Sequence, residues 1–140
     1  MIARRAMVVL VSLTVVLLGQ DEDSKLRAQE SEVRRVILGF VGARNAHAGA
    51  RAAAAYFADG EYIDAAGNAV KGRSALAKLW GGAGEVPRAI TDVKMVTSNI
   101  AIATIEAHFA VGLRNIVGKE TLLLIKDDGE WRIRVHQRLN

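Results

Sequence analysis

The chain has no cysteine among its 140 residues, which excludes a disulfide framework, a thiol nucleophile, a Cys-ligated zinc or iron–sulfur site and lipid attachment through a thioether. A single proline and an aromatic content of 5% exclude a Pro-rich linker and a base-stacking RNA-binding sheet. Histidine is also scarce: His47, His108 and His136 fall in unrelated segments without paired spacing, so no single element supplies a metal site and none is expected. No glycine motif opens a helix directly after a strand. The run Gly81-Gly82-Ala83-Gly84 follows a predicted helix instead, so a nucleotide phosphate has no cradle and no cofactor is expected. Basic residues outnumber acidic ones by 19 to 15, but they are spread along the chain rather than gathered in a run, and no nucleic-acid partner is implied.

What remains is a chain that is 51% apolar and 24% charged, enough to bury one core and stay soluble. Its start has the order of a secretory signal. Arg4 and Arg5 precede the 13-residue stretch Ala6–Leu18, whose polar members are Ser12 and Thr14, and the acidic Asp21-Glu22-Asp23 follows. As a helix that stretch covers about 20 Å, short of the roughly 30 Å hydrocarbon core of a bilayer. The expectation is a signal peptide over residues 1–20, cut near Gly19 or Gln20, a linker over 21–30 and one domain over 31–140, secreted or periplasmic. Leu17 departs from the small-x-small cleavage pattern, so an uncleaved anchor stays open as the alternative and would be the only membrane contact.

Val33, Val36, Ile37, Phe40 and Val41 recur at helical spacing while Arg34, Arg35 and Arg44 are read elsewhere on the wheel, predicting a helix from Ser31 to about Asn45. Alanine-rich Ala50–Phe57 predicts a second helix and Ser74–Trp80 a third, with a short strand Glu61–Asp64 between them. Arg88–Thr97, Ile100–Val111, Ile116–Lys126 and Trp131–Leu139 read as four strands in meander, broken at Ser98-Asn99, Gly112–Asn115 and Asp127-Asp128-Gly129. Helices first and an antiparallel sheet second give an α+β architecture: a cone-shaped curved antiparallel sheet covered by three N-terminal helices, enclosing a pocket.

That order resembles the nuclear transport factor 2-like superfamily, and most of all its SnoaL-like and ketosteroid isomerase-like stand-alone members. The resemblance is carried by Phe40-Val41-Gly42-Ala43-Arg44-Asn45, Tyr56-Phe57-Ala58-Asp59, Tyr62-Ile63-Asp64-Ala65-Ala66-Gly67, Gly72-Arg73 and Asp128-Gly129-Glu130-Trp131-Arg132-Ile133. It spans about residues 31–139. Such relatives include isomerases, dehydratases, epoxide hydrolases and domains without known activity, so fold alone supplies no reaction. In a ketosteroid isomerase an aspartate base stands where Asp64 stands here, with an oxyanion tyrosine in the first helix and a protonated acid on a later strand. By that resemblance the tyrosine position holds Phe40, and the later acid position falls near Thr121 or Leu122, where no carboxyl is found; steroid isomerisation by that mechanism is not expected.

The candidate catalytic residues are Asp64, Glu106 and His108. Two roles are open for Asp64: a base in an apolar pocket, its pKa raised by desolvation, or a cap on its own turn. Thr104, Glu106 and His108 share one side of their strand and Ala103, Ile105, Ala107 and Phe109 the other. The resemblance implies that the Glu106 and His108 side lines the cavity; a solvated face is the competing reading, and the alanine side suits either core or a flat dimer interface. In the last strand Trp131, Ile133, Val135, Gln137 and Leu139 are expected inside and Arg132, Arg134, His136 and Arg138 outside. Tyr62, Trp80, Gln137 and Phe40 are the expected ligand-binding residues; ordinary core packing is the competing role of Trp80 and Phe40, and a satisfied core amide that of Gln137. Asn45 or His47 is expected to cap the second helix. The functional expectation is an exported pocket protein for a small apolar or amphipathic molecule, with or without cofactor-free acid–base chemistry. The alternative is a non-catalytic ligand-binding or dimeric interaction domain, and a homodimer is expected from the fold.

Overall fold

Helix α1 runs Ile2–Asn45, α2 Gly49–Ala53 and α3 Arg73–Gly81; the strands are β1 Tyr56–Ile63, β2 Ala69–Lys71, β3 Val86–Thr97, β4 Ile100–Val111, β5 Arg114–Asp127 and β6 Glu130–Arg138. This computed structural model describes in full residues 19, 21–82, 87, 89–108 and 111–140, and the elements that pass those limits are given by their bounds alone. The expected signal peptide and its cleavage point at Gln20, the glycine stop at residues 83 and 84, and the side of Phe109 lie outside the described residues. Residues 21–30, read as a linker, are helical and continue into the body of α1. Among the described residues no helix is long and apolar enough to cross a membrane.

The sheet order is β2-β1-β6-β5-β4-β3. The meander β3 to β6 is antiparallel throughout, as expected, whereas β1 joins β6 in parallel. The expected second helix is corrected here: it stops at Ala53, and Tyr56-Phe57 open a strand of eight residues. Alanine propensity yields to pairing, because the Ala55 carbonyl accepts from Ile133 N at 2.8 Å and Tyr56 sits opposite Ile133. Arg73 then ties this strand start to α3, donating from Nε and Nη2 to Tyr56 O at 3.1 and 2.7 Å. Neither expected cap of α2 operates. Asn45 donates to Pro87 O, His47 faces Gly82 O, and the N-cap position is Ala48 without a side-chain bond.

Bulges bend the sheet. Three register shifts interrupt β3 against β4, and one interrupts β5 against β6. In the latter Leu123 faces Val135 and Leu124 faces Ile133, so Arg134 is an extra residue with no opposite number. The concave face carries Ala101, Ala103, Ile105, Ala107, Leu122, Leu124, Trp131 and Ile133, all buried. Val33, Ile37 and Phe40 of α1 and Leu76 and Trp80 of α3 close over it. The alanine side of β4 is thus monomer core, and its small side chains let the helices approach the sheet.

Candidate functional site

The inner face of β6 is not the one strict alternation predicts. Up to Ile133 the odd positions point inward; the extra residue Arg134 then puts Arg134 and Val135 on the outer side in succession and turns His136 inward. His136 is fully buried and Gln137 exposed, the reverse of the expectation that Gln137 is the polar residue inside and His136 lies outside among arginines. The bulge is the reason for the correction.

Beside His136, β5 delivers a second polar group. Glu120 alternates with Leu122 and Leu124 on the concave face, opposite Ile105 of β4, and is fully buried. The later strand does carry a carboxyl, one residue before the position the resemblance indicated. A third group comes from α1. Arg44 follows Val33, Ile37 and Phe40 at helical spacing, so it shares the buried stripe that it was expected to avoid. Its Nη1 and Nη2 donate to Glu120 Oε2 and Oε1 at 2.8 and 3.3 Å, a two-pronged pair deep in the core.

Aromatic rings surround these groups. Tyr56 Oη lies 2.6 Å from His136 Nδ1 and accepts from Trp80 Nε1 at 3.2 Å. Trp80 stacks near-parallel on His136 at 5.6 Å between centroids, Tyr62 meets both His136 and Trp80 edge-on at 4.9 Å, and Phe40 meets His136 edge-on at 5.6 Å. The Arg44 guanidinium lies 3.9 Å over the Trp80 ring, a cation–π contact inside the core.

Burial opposes ionisation of Glu120, but His136 and Arg44 outweigh it and hold the carboxyl down at about 2. Burial lowers the pKa of His136, with Arg44 acting the same way and Glu120 opposing, so the imidazole is neutral near pH 7. Burial raises the Tyr56 phenol well above its ordinary value, so it stays protonated. His136 Nε2 is 3.4 Å from Glu120 Oε1, a long contact through which each group shifts the pKa of the other. Among the described residues, His136 Nε2 and Arg44 Nε are the buried side-chain polar atoms without a hydrogen-bond partner.

The sequence-predicted residues divide. Phe40, Tyr62 and Trp80 come together around His136. Asp64 does not join them: its Oδ1 accepts from Ala66 N and Asn68 N at 3.0 and 2.8 Å and its Oδ2 from Asn68 Nδ2 at 3.3 Å, the turn-capping role of the two left open. Those bonds, that from Asn68 first, lower its pKa rather than raising it toward a base at neutral pH. Glu106 and His108 bond each other at 2.5 Å on the face of β4 opposite its core alanines, so the implied cavity lining is corrected to an outer, half-exposed face. A surface crevice of about 200 Å³ between Glu32, Arg35 and Val36 of α1 and Gly129, Glu130 and Trp131 is separate from all of these. Among the described residues no group of three or more His, Asp or Glu could hold a metal.

No family model and no curated protein matches the sequence. Solved structures do match. A domain of unknown function with a cystatin-like fold from Nostoc punctiforme superposes at a TM-score of 0.68 with 20% identity, covering 79% of this chain and 76% of that one. A ketosteroid isomerase-like protein from Erwinia carotovora superposes at 0.64 with 18% identity over 77% and 92% of the two chains. A putative scytalone dehydratase from Novosphingobium aromaticivorans superposes at 0.66 with 15% identity over 83% and 86%. An NTF2-like protein with a cystatin-like fold from the same organism covers 92% of this chain at a TM-score of 0.63 and 17% identity. With three helices closed over a bent sheet of six strands, the chain has the nuclear transport factor 2-like fold of these structures.

Proposed function

We propose that this chain is a small-molecule-binding domain whose working centre is His136 with Tyr56, Tyr62, Trp80, Glu120 and Arg44, a centre able to perform cofactor-free acid–base chemistry on an apolar or amphipathic ligand. The observation that carries the reading is a fully buried Arg44–Glu120–His136 group in the cone interior. Burying ions costs several kcal/mol each, and well-packed apolar residues in their place are often neutral or stabilising, so packing alone does not account for the group. Aromatic walls around a few convergent polar groups are what small-molecule sites present. Titratable groups with pKa values pushed apart, Glu120 down to about 2 and Tyr56 up, are what acid–base sites present. The isomerase-like and dehydratase-like neighbours support this only through their fold.

A thermal-shift screen of small aromatic and alicyclic molecules against the wild type, His136→Phe and Asp64→Asn tests it. Ligands that stabilise the wild type lose their effect in His136→Phe and keep it in Asp64→Asn. The opposite pattern overturns the reading and returns the site to Asp64.

Two further proposals concern the setting. The Arg4-Arg5 and Ala6–Leu18 order supports export, and intact mass of the protein from fractionated cells shows whether residues 1–20 are gone. The outer sheet face supports a homodimer: Ile102 and Val117 are exposed there and Leu123, Ile125 and Val135 half-buried. A sedimentation experiment that gives only monomer rules it out.

A further inference from the structure

The β4–β5 hairpin outruns its sheet. β3 starts at Val86, opposite His108, and β6 parts from β5 at Arg138, opposite Glu120, with Leu139 N bonding Lys119 O one step further. Beyond those points β4 and β5 go on pairing with each other, Phe109 with Ile116, Ala110 with Asn115 and Val111 with Arg114. Among the described residues no third strand flanks this stretch on either side. Gly112 turns the chain with a φ of 61°, the positive value that a tight two-residue hairpin asks of its first turn residue. The result is a two-stranded arm with unpaired edges.

The arm does not have the composition of a solvated hairpin. Leu113 at its tip is 107% exposed, Val111 55% and Ile116 37%. Alternation puts Val111, Arg114 and Ile116 on one side of it. From Ala107 to Lys119 the sequence has no carboxylate, and its cations Arg114 and Lys119 are exposed. Two strands alone are marginal in water, and large apolar side chains gathered on a protruding tip mark an interaction surface. An arm-to-arm contact with a second copy would set the same cations against each other with no carboxylate between them. An anionic lipid surface answers both features at once. The tip enters the boundary between headgroups and acyl chains, and Arg114 and Lys119 reach phosphates while their stems lie along apolar surface. The unpaired edges set the depth: hydrocarbon cannot satisfy their N–H and C=O groups, so the arm stops at headgroup level, about 5–10 Å in.

We propose that the arm of residues 109–119 docks the protein on anionic phospholipid, with Val111, Leu113 and Ile116 entering the headgroup boundary and Arg114 and Lys119 engaging the phosphates. This contact is independent of Ala6–Leu18 and of the His136 centre.

A chain without cysteine makes the test direct, since one introduced thiol is labelled alone. The full chain carries an environment-sensitive fluorophore at Asn115→Cys on the arm or, as control, at Ser98→Cys in the turn between β3 and β4, at the other end of β4. The N-terminal apolar stretch is common to both proteins, so the readout is the emission of the label and not vesicle binding as such. With vesicles of equal parts phosphatidylglycerol and phosphatidylcholine the Asn115 label shifts to the blue and the Ser98 label does not. The apparent affinity read from that shift falls about 25-fold on pure phosphatidylcholine, and as far in Arg114→Gln/Lys119→Gln, at about fivefold for each cation. Leu113→Ser lowers it about tenfold with thermal unfolding unchanged. An Asn115 label that stays aqueous, whether or not the protein floats with the vesicles, overturns the proposal, and so does an equal response on pure phosphatidylcholine. A blue shift that appears without vesicles as the protein concentration rises assigns the arm to a second copy and also overturns it.

Discussion

The Tyr56 hydroxyl meets His136 Nδ1 at 2.6 Å, joining the first residue of β1 to the inner end of β6. The bond closes a line of polar contacts that runs from Trp80 on α3, through Tyr56 and His136, to Glu120 on β5 and Arg44 at the end of α1. Helices and sheet are thereby tied together by groups that an apolar core would not need. The same line is the proposed working centre, so stability and function depend on the same side chains.

Breaking the Arg44–Glu120 pair strands a charge in the core. Glu120→Met and Arg44→Met each cost about 3–5 kcal/mol. The double variant Arg44→Met/Glu120→Met costs much less than the sum, because no uncompensated ion is left. Urea unfolding of the four proteins in a double-mutant cycle measures the coupling; additive losses would show that the pair does not act as a unit.

Acid destabilises the protein in two steps. His136 has a folded pKa below its ordinary 6.5, so the unfolded chain takes up its proton first and stability, full above about that pH, falls as the pH drops below it. Glu120 has a folded pKa of about 2 against 4.5, and its contribution is lost between those values as the pH falls further. Each proton adds a slope of up to about 1.4 kcal/mol per pH unit. Chemical denaturation from pH 8 to pH 3 gives the profile. His136→Phe removes the upper step and narrows the lower one, because His136 helps Arg44 hold the Glu120 carboxyl down.

Gly49 is fixed by contact rather than by backbone conformation. A Cβ there would fall 1.9 Å from Ala77 O and 2.9 Å from Gly81 N, both backbone atoms of α3. Gly49→Ala must push α2 from α3 and is expected to cost about 1–3 kcal/mol or more. Thermal unfolding against Gly42→Ala is the control, since a Cβ at Gly42 meets nothing within 4 Å and alanine favours the helix.

Asp64 is expected to matter to the turn and not to the ligand. Asp64→Ala lowers the melting temperature by removing the acceptor for Ala66 N and Asn68 N, and Asp64→Asn, which keeps an acceptor oxygen, lowers it less. Ligand affinity is unchanged in both. A loss of affinity with unchanged melting temperature would put Asp64 back in the site.

The sequence made the architecture readable because the strong signals agree: helical spacing from Val33 to Val41, then four long runs of alternating residues separated by turns. It misled where one position depends on distant pairing. Tyr56 lies in an alanine-rich run and becomes strand only because β6 offers an edge to pair with. Gln137 and His136 exchange sides because of Arg134, and a bulge is set by register against β5, which alternation within β6 cannot reveal. Glu120 was legible in hindsight from its step of two to Leu122 and Leu124, and Arg44 from its step of seven from Ile37 and four from Phe40. A charged residue on an apolar stripe is the signal that both gave.

The account turns on where a ligand lands, and amide and side-chain chemical-shift mapping with benzoate tests this most directly. The account predicts that the Trp80 indole and the His136 ring signals, with the amides of Tyr62 and Glu120, shift together along one saturating curve. Shifts confined to Asp64, Glu106 and His108, with the Trp80 indole unmoved, would contradict it.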